Sequence, residues 1–311
     1  MPRIEYIPKR FNAEHAEVIR QANEIITSYR SRGFDLTLRQ LYYQFVSRDL
    51  FPESWQDERT GSTNNERSYK KLGTIISDGR RAGLIDWEAI VDRTRNVQIP
   101  SAWDTPADIV EVCSRTFAVD WWNGQTYRPE VWVEKDALLG VIETACEPWR
   151  CPYFSCRGYT SDSEIWSAAR RLARHIKNGQ TPIVFHLGDH DPSGIDMSRD
   201  IFDRVQMFAN ANSEIEVRRI ALTMPQVEEQ EPPPNPAKTT DSRYQGYRET
   251  YGDESWELDA LGPEYIAELI AENMNGILDT EAWGDAEKKQ EEGRRLLREV
   301  SGQWEELTGN L

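Results

Sequence analysis

The sequence predicts an α/β protein in which a helical N-terminal domain precedes a mostly parallel sheet and an acidic, helical C-terminal extension follows it. Helical periodicity dominates residues 13–83, short apolar runs alternate with helical segments over residues 130–223, and the tail from residue 263 is helical in pattern and strongly acidic. The expected boundaries are residues 1–100 for the N-terminal domain, 101–128 for a connection, 129–225 for the sheet, and 226–311 for a Pro-rich segment with the extension.

The N-terminal domain shows three helical segments. The first covers residues 13–31, and the second opens at Thr37, where Gln40 three residues later completes a capping box. The third begins at "TNNERSYKK" and ends near Gly83, and "LIDWEAIVDRTRN" after it predicts a short strand or wing. Three helices followed by a wing are typical of a winged-helix domain.

The third helix carries basic side chains that predict contact with double-stranded DNA, because a helix in this position of such a domain enters the major groove. The alternative is a solvated basic face on a small helical domain. The side chains are Arg67, Lys70 and Lys71, with Arg80 and Arg81 near the end of the helix.

The second part of the chain alternates strands with helices. The predicted strands are "EVWV", "CPYFSC", "TPIVFHL" and "EIEVRRIALT", and each of the first three is followed by a helical segment. Strands connected through helices form a parallel sheet that is covered on both faces.

Acidic side chains follow two of these strands. Glu134 ends "EVWV", whereas Asp189 and Asp191 follow "TPIVFHL" and point the same way because they are two residues apart in extended chain. Sites in open α/β sheets form beyond the carboxyl ends of strands, and three oxygen ligands without His or Cys suit Mg²⁺. Asp-x-Asp before a glycine is also a common turn, and only the combination with Glu134 favours a metal site.

Charge and composition indicate which partners and which cellular compartment to expect. The net charge is −16, but it is +2 over residues 1–100, −5 over 101–224 and −13 over 225–311, so the N-terminal third can still meet a polyanion. No run of 18 apolar residues predicts a membrane span, and no N-terminal signal is visible. The four cysteines lack a CxxC pair, which favours free thiols in a reducing cytoplasm over a zinc site.

Three motifs in the second part resemble the Toprim domain of topoisomerases, bacterial primases and some nucleases: "VEKDALLGVIE", "GYTSDSEIW" and "GDHDPSGIDM". Their spacing and the "DPSGI" continuation are most similar to the A subunit of topoisomerase VI and its relative, the meiotic double-strand-break protein. Both carry a winged-helix domain with a catalytic tyrosine before the Toprim domain. "RQLYY", residues 39–43, resembles the tyrosine motif of that family, and the likeness covers roughly residues 10–220.

Helix periodicity separates the two tyrosines of this motif. Tyr42 falls on the apolar face, whereas Tyr43 lies four residues after Arg39 and shares another face with it, where we expect it to be exposed. A guanidinium beside a phenol favours the phenolate and can hold a phosphate. Two ring-packing tyrosines are the alternative, and the family resemblance favours Tyr43 as the nucleophile with Tyr42 as its packing neighbour.

The resemblance implies Mg²⁺-dependent DNA cleavage through a 5′-phosphotyrosyl link, with Tyr43 as nucleophile, Arg39 beside the phosphorus, Glu134, Asp189 and Asp191 on the metal, and Lys135 near the phosphate. It also implies a homodimer in which the tyrosine of one subunit meets the metal site of the other. The chain carries no ATPase motif, so an ATPase subunit would be a separate chain, and a short stand-alone "Mini-A" form of a prokaryotic cell or phage, in the nucleoid-containing cytoplasm, is the expected type.

Two alternatives remain open from the sequence: a Toprim nuclease that uses metal-activated water, and a DNA-binding protein without turnover. The "GYTSDS" turn departs from the family pattern, which usually reads Gly-Tyr-Pro. His190, between the two aspartates, is expected to point to the opposite side in a structural role.

Overall fold

The N-terminal helices form where the sequence predicts them. A computed structural model describes residues 3–58, 60–91, 100–157, 160–210 and 214–304. Helices α1 (Ala13–Arg30), α2 (Leu38–Ser47) and α3 (Glu66–Arg81) come first, and the predicted capping box of Thr37 and Gln40 starts α2. Part of the predicted wing, residues 92–99, lies outside the described residues, and the chain before it forms one isolated parallel bridge between Leu36 and Ile90.

The middle of the chain alternates strands and helices. After α4 (Pro106–Thr116) come β1 (Tyr127–Val133), α5 (Leu139–Cys146), β2 (Tyr153–Ser155), α6 (Asp162–Lys177), β3 (Thr181–Leu187), α7 (Pro192–Ala209) and β4 (Glu216–Ala221). The four strands are parallel in the order β2-β1-β3-β4, so the predicted α/β class with a parallel sheet is confirmed. The "GYTSDS" turn begins at residues 158 and 159, which lie outside the described residues.

The C-terminal part folds back onto this sheet. It contains α8 (Met224–Gln230), β5 (Asn235–Pro236), α9 (Tyr244–Tyr251), β6 (Glu254–Ser255), a 3-10 turn (Leu258–Ala260), α10 (Pro263–Asn275) and α11 (Thr280–Gly302). Strands β5 and β6 form a small antiparallel pair. The helical tail predicted from residue 263 is confirmed.

The sheet packs on both faces because its side chains alternate. Trp132 and Val184 join the buried residues of α6 and α7 on one face. Val131 and Phe185 join α5, α10 and the N-terminal helices on the other, in a core cluster that runs without interruption from α1 to α10. This shared core fixes α2 relative to the carboxyl ends of β1 and β3.

Candidate functional site

The carboxyl ends of β1 and β3 form the switch point of the sheet. The chain moves from β1 outward to β2 and then returns to β3 on the opposite side of β1, which is where ligand crevices form in such sheets. The Glu134 amide donates to Leu187 O at 2.9 Å, and the Asp189 amide donates to Glu134 Oε2 at 2.9 Å. Strands β1 and β3 are therefore neighbours, and Glu134 lies beside Asp189.

Asp191 caps helix α7. Its Oδ1 accepts from the Gly194 amide at 2.6 Å and from Ser193 Oγ at 2.9 Å, and Pro192 occupies the first helical position. Glycine is required at position 194 because a Cβ there would lie 2.3 Å from the Asp189 carbonyl oxygen. The "DPSG" stretch thus holds Asp189 and Asp191 in a tight and well-determined turn.

Each of the three predicted metal ligands has one carboxylate oxygen without a partner among the described residues. Their contacts use Glu134 Oε2, Asp189 Oδ1 and Asp191 Oδ1. Within the described ranges, no hydrogen bond or ion pair involves the other oxygen of any of these side chains. On each carboxylate, one oxygen therefore stabilises the structure and the other can bind a ligand.

A second acidic group shares Asp189. Among the described residues, carboxylate oxygens of Asp189, Glu257 and Asp259 lie within 4.8 Å of one another. Lys135 Nζ lies 2.9 Å from Asp189 Oδ1 and 3.1 Å from Asp259 Oδ1, and it also pairs with Glu257. Arg39 Nε lies 2.7 Å from Asp259 Oδ2, and Arg39 Nη2 lies 2.9 Å from Glu257 Oε2.

The electrostatics of the two acidic groups differ. Burial raises the pKa of Asp189 to about 7, against the attraction of Lys135. Burial also raises the pKa of Glu134, and the nearby charge of Asp191 adds to the effect. In contrast, burial of Glu257 is outweighed by Lys135 and Arg39, so the pKa of its carboxyl is lowered. The protein therefore stabilises the charged form of Glu257 and disfavours the charged forms of Glu134 and Asp189, which a bound cation would restore.

Tyr43 is buried, and the expectation that it is exposed is wrong. Only 5% of the residue is accessible, because the 3-10 turn Leu258–Ala260 packs against α2 and covers the face that it shares with Arg39. Arg39 Nη2 lies 3.5 Å from Tyr43 Oη, and the guanidinium carbon lies 5.7 Å from the ring centroid. Burial together with the charges of Asp259 and Glu257 raises the pKa of Tyr43, which outweighs the opposite effect of Arg39.

Tyr42 has the packing role predicted for it. Its ring makes edge contacts with Tyr43 and Tyr69, and its Oη donates to Asn64 Oδ1 at 2.9 Å. These contacts fix the orientation of α2 around the motif and leave Tyr43 as the tyrosine of the pair nearest the charged groups.

One cavity joins the tyrosine motif to the acids. It has a volume of about 460 Å³ and lies between α2, the switch point and the β5–β6 pair. Its lining includes the predicted tyrosine motif and the predicted metal ligands, but not Lys135, which the sequence placed near the phosphate. One further carboxylate and one further cation also line it: Arg39, Tyr42, Tyr43, Glu134, Asp189, Asp191, Lys238 and Glu257.

The basic residues predicted to contact DNA have different surroundings. Arg67 and Lys70 are exposed, although Lys70 pairs with Glu66 at 2.6 Å on the same helix, and Arg81 is half-exposed and 3.8 Å from Asp78. The other two basic side chains form contacts within the N-terminal part of the chain. Lys71 pairs with Glu14 at 2.9 Å and lies 4.2 Å from the Trp55 ring centroid. Arg80 donates to the carbonyls of Trp87 and Ile90.

Lys135 and His190 complete the set of predicted residues. Lys135 is largely buried in the acidic group described above, so it faces three carboxylates. His190 is 1% exposed, its Nδ1 lies 2.8 Å from Tyr247 Oη, and its backbone pairs with Trp256. Burial lowers the pKa of His190 to about 4, so it is neutral at pH 7, in agreement with its expected structural role.

Sequence reasoning missed four residues of this site, of which Lys238 lines the cavity as a further cation. Glu257 and Asp259 repeat the spacing of Asp189 and Asp191, two carboxylates one residue apart, and this repetition was a usable signal. Arg219 is a partly buried residue of β4; it donates to the Gly188 and Asp189 carbonyls at 2.9 and 2.6 Å and so stabilises the turn that contains Asp189. All four cysteines are free thiols.

No family model, curated protein or solved structure matches this chain. Within the described residues, no helix is both long and apolar enough to cross a membrane.

Proposed function

We propose that this protein cleaves DNA by Mg²⁺-dependent transesterification, in the manner of a topoisomerase VI A subunit. One observation carries the proposal: Tyr43, Arg39, Glu134, Asp189 and Asp191 line the same cavity, although they come from distant parts of the chain. A nucleophile, a phosphate-binding cation and a group of oxygen ligands are the parts that phosphoryl transfer needs.

The proposal includes a winged-helix domain at residues 1–100 and a Toprim domain at residues 129–225. Support comes from the order of the elements, with three helices before a parallel sheet that carries acids at its switch point. The 226–311 segment is then an addition that closes the cavity, because it supplies Glu257 and Lys238 to the lining.

We propose that Mg²⁺ binds at Glu134, Asp189 and Asp191, although their carboxylate oxygens do not all lie within 4.8 Å of one another, as those of Asp189, Glu257 and Asp259 do. Each proposed ligand has a carboxylate oxygen without a partner among the described residues, and Mg²⁺ commonly binds through one or two carboxylates while it keeps several waters. The tighter group of Asp189, Glu257 and Asp259 is a poorer candidate, because Lys135 and Arg39 already neutralise it. When bound, the cation would stabilise negative charge on the phosphate.

Tyr43 would act as the nucleophile. Its Oη forms a bond to phosphorus, the bond from phosphorus to O3′ breaks, and the proton of the phenol ends on O3′, so the products are a 5′-phosphotyrosyl link and a 3′-hydroxyl. Arg39 would bind the phosphate through Nη1, because its Nε and Nη2 are already held by Asp259 and Glu257. These two bonds orient the guanidinium before DNA arrives.

We also propose a homodimer that cuts both strands, with a separate ATPase subunit as a further partner. The family resemblance pairs the tyrosine of one subunit with the acids of its partner. Here a single chain lines the cavity with both, so one chain can hold one complete set of catalytic groups.

Cleavage of a supercoiled plasmid in Mg²⁺, analysed with and without protease, tests the proposal. Wild type should give cut DNA that carries protein, and Tyr43→Phe should abolish this product. Tyr42→Phe is the matched control, because it loses one hydrogen bond to Asn64 but leaves the Tyr43 hydroxyl in place. Cut DNA with free ends from both variants would contradict the tyrosine mechanism.

Hydrolysis by metal-activated water is the second candidate, and one observation favours it. Tyr43 is buried, and burial with the charges of Asp259 and Glu257 raises its pKa, so its phenolate is harder to form than that of an exposed tyrosine. Free ends that persist in Tyr43→Phe would establish this reaction. If no variant cuts, but reversal of Lys70 to Glu weakens DNA binding, a binding protein without turnover is the better description.

A further inference from the structure

Helix α6 presents an unusual outward face, here named the α6 basic face: Trp166, Arg170, Arg174 and Lys177. The three cations are exposed, and Trp166 has 55% of its surface accessible. Together with Ser167 and Ala173 they line a shallow depression of about 220 Å³. The inward face of the same helix, with Ile165 and Leu172, packs on the sheet, so this outward face is not needed for the fold.

The positive charge of this face is not neutralised. None of Arg170, Arg174 and Lys177 forms an ion pair with another described residue. Neighbouring arginines differ: Arg171 pairs with Glu130 at 2.7 Å, and Arg204 pairs with Asp162 at 2.7 Å. In a chain of net charge −16, three unpaired cations in a row concentrate positive potential at one place, which attracts an anion with several charges.

The spacing of the face suits a chain of phosphates with a base beside it. Residues 166, 170, 174 and 177 follow the helical repeat, so they lie in one line that is about 16 Å long at a rise of about 1.5 Å per residue. A cationic track with an aromatic ring for base stacking is the usual arrangement in proteins that bind single strands. In a duplex the bases are stacked on one another, so they do not stack on the exposed indole.

We propose that the α6 basic face binds a single-stranded nucleic-acid segment, with one base on Trp166 and successive phosphates on Arg170, Arg174 and Lys177. This site is separate from the cavity that contains Tyr43, because no residue lines both. It therefore goes beyond strand cleavage and does not depend on it.

Fluorescence anisotropy with a labelled oligothymidylate of about 12 nucleotides, in EDTA so that no cleavage occurs, tests the site. Arg170→Glu with Arg174→Glu should weaken binding more than tenfold. Three phosphate contacts predict a slope of log K against log salt of about −2, which falls below about 1 in magnitude when one contact remains. Trp166→Ala should weaken binding about tenfold through lost stacking, with little change in that slope.

Arg295→Glu with Arg298→Glu is the matched control. It makes the same change in net charge at exposed positions of another helix, α11, and should leave oligothymidylate binding unchanged. An equal effect of the two double variants would overturn the proposal, since the loss would then reflect net charge alone. Binding by wild type that is absent, or unaffected by the α6 substitutions, would also overturn it.

Two further measurements distinguish the proposed single strand from other ligands of the α6 basic face. A duplex that binds as tightly as the single strand, without any effect of Trp166→Ala, would assign the face to duplex backbone and contradict the proposal. A change of oligomeric state in the α6 variant with unchanged oligonucleotide binding would assign it to the acidic surface of a second copy. Tyr43→Phe should bind oligothymidylate as wild type does, so failure of the cleavage proposal remains distinguishable.

Discussion

Replacement of Lys135 by methionine removes the central cation of the acidic group beside the cavity. The side chain is 17% exposed and lies within 3.1 Å of Asp189 and Asp259, while it also pairs with Glu257. Burial by itself lowers the pKa of the Lys135 ammonium, but the attraction of Asp259, Asp189 and Glu257 outweighs it and leaves that pKa raised. Lys135 is therefore charged, and its removal leaves three carboxylates with Arg39 alone.

The expected loss of stability is about 3–5 kcal/mol. At an effective dielectric constant near 20, each pair at about 3 Å has a gross Coulomb energy of about 5 kcal/mol. Desolvation and repulsion among the carboxylates cancel most of this sum, and removal of one partner of a buried ion pair typically costs the amount stated. Asp259→Asn added to Lys135→Met should recover about 1–2 kcal/mol, because it removes one of the uncompensated charges.

Urea unfolding with and without Mg²⁺ measures both effects. The oxygens of Asp189, Glu257 and Asp259 that lie within 4.8 Å of one another become free for a cation in Lys135→Met. Mg²⁺ at about one hundred times its dissociation constant should therefore stabilise this variant by about 2.7 kcal/mol. Lys288→Met, which breaks an exposed pair with Asp285 at 3.2 Å, should cost under about 1 kcal/mol.

A loss of stability in Lys135→Met that is no larger than in Lys288→Met would contradict this prediction. Equal stabilisation of wild type and Lys135→Met by Mg²⁺ would also contradict it, because the ammonium would then not compete with a cation for these oxygens.

Two further predictions concern a hydrogen-bonded glutamate of the N-terminal helices and the glycine in the turn that contains Asp189 and Asp191. Hydrogen bonds from Trp55 and Lys71 lower the pKa of Glu14 below 4.5, so its stabilisation is present above that pH and lost as pH falls through the lowered value. Glu14→Gln should cost about 1 kcal/mol at pH 7, with no difference from wild type in the free energy of unfolding at strongly acid pH. Gly194→Ala should cost about 3 kcal/mol or more in urea unfolding, because the new Cβ would lie 2.3 Å from the Asp189 carbonyl oxygen.

Gly284→Ala is the control for the glycine substitution. Its Cβ would meet nothing within 4 Å inside helix α11, so alanine should stabilise the protein by about 0.5–1 kcal/mol. A loss in Gly284→Ala, or stability unchanged in Gly194→Ala, would contradict the steric argument. For Glu14→Gln, a difference from wild type that grows as the pH falls would have the wrong sign.

The elements around the site were predictable because their signals are local. Strand β3 was predicted with the bounds found, since the apolar run from Thr181 to Leu187 is delimited by Gly179 and Gly188. The capping box that starts α2 depends on Thr37 and Gln40 alone. Helical periodicity and cap residues act over a few positions, so the sequence contains what is needed to assign them.

Burial of Tyr43 was not predictable from the same signals. Helix periodicity shows which residues share a face, but it does not show what covers that face. The turn at Leu258–Ala260 covers it, more than 200 residues later in the chain. The strand order was not predictable from local signals either, because it follows from the packing of whole helices. It is this order that makes Glu134 and Asp189 adjacent.

The charge balance of the site therefore depends on tertiary contacts. Asp189 is the residue that links the predicted metal ligands to the group around Lys135. Its Oδ1 is held by Lys135 and by the Leu258 amide at 2.8 Å, whereas its Oδ2 forms no hydrogen bond or ion pair with a described residue. A cation that draws Asp189 toward Glu134 and Asp191 therefore works against the attraction of Lys135. It follows that Lys135 tunes how tightly the proposed metal site binds, so Lys135→Met should bind metal more tightly even where it folds less stably.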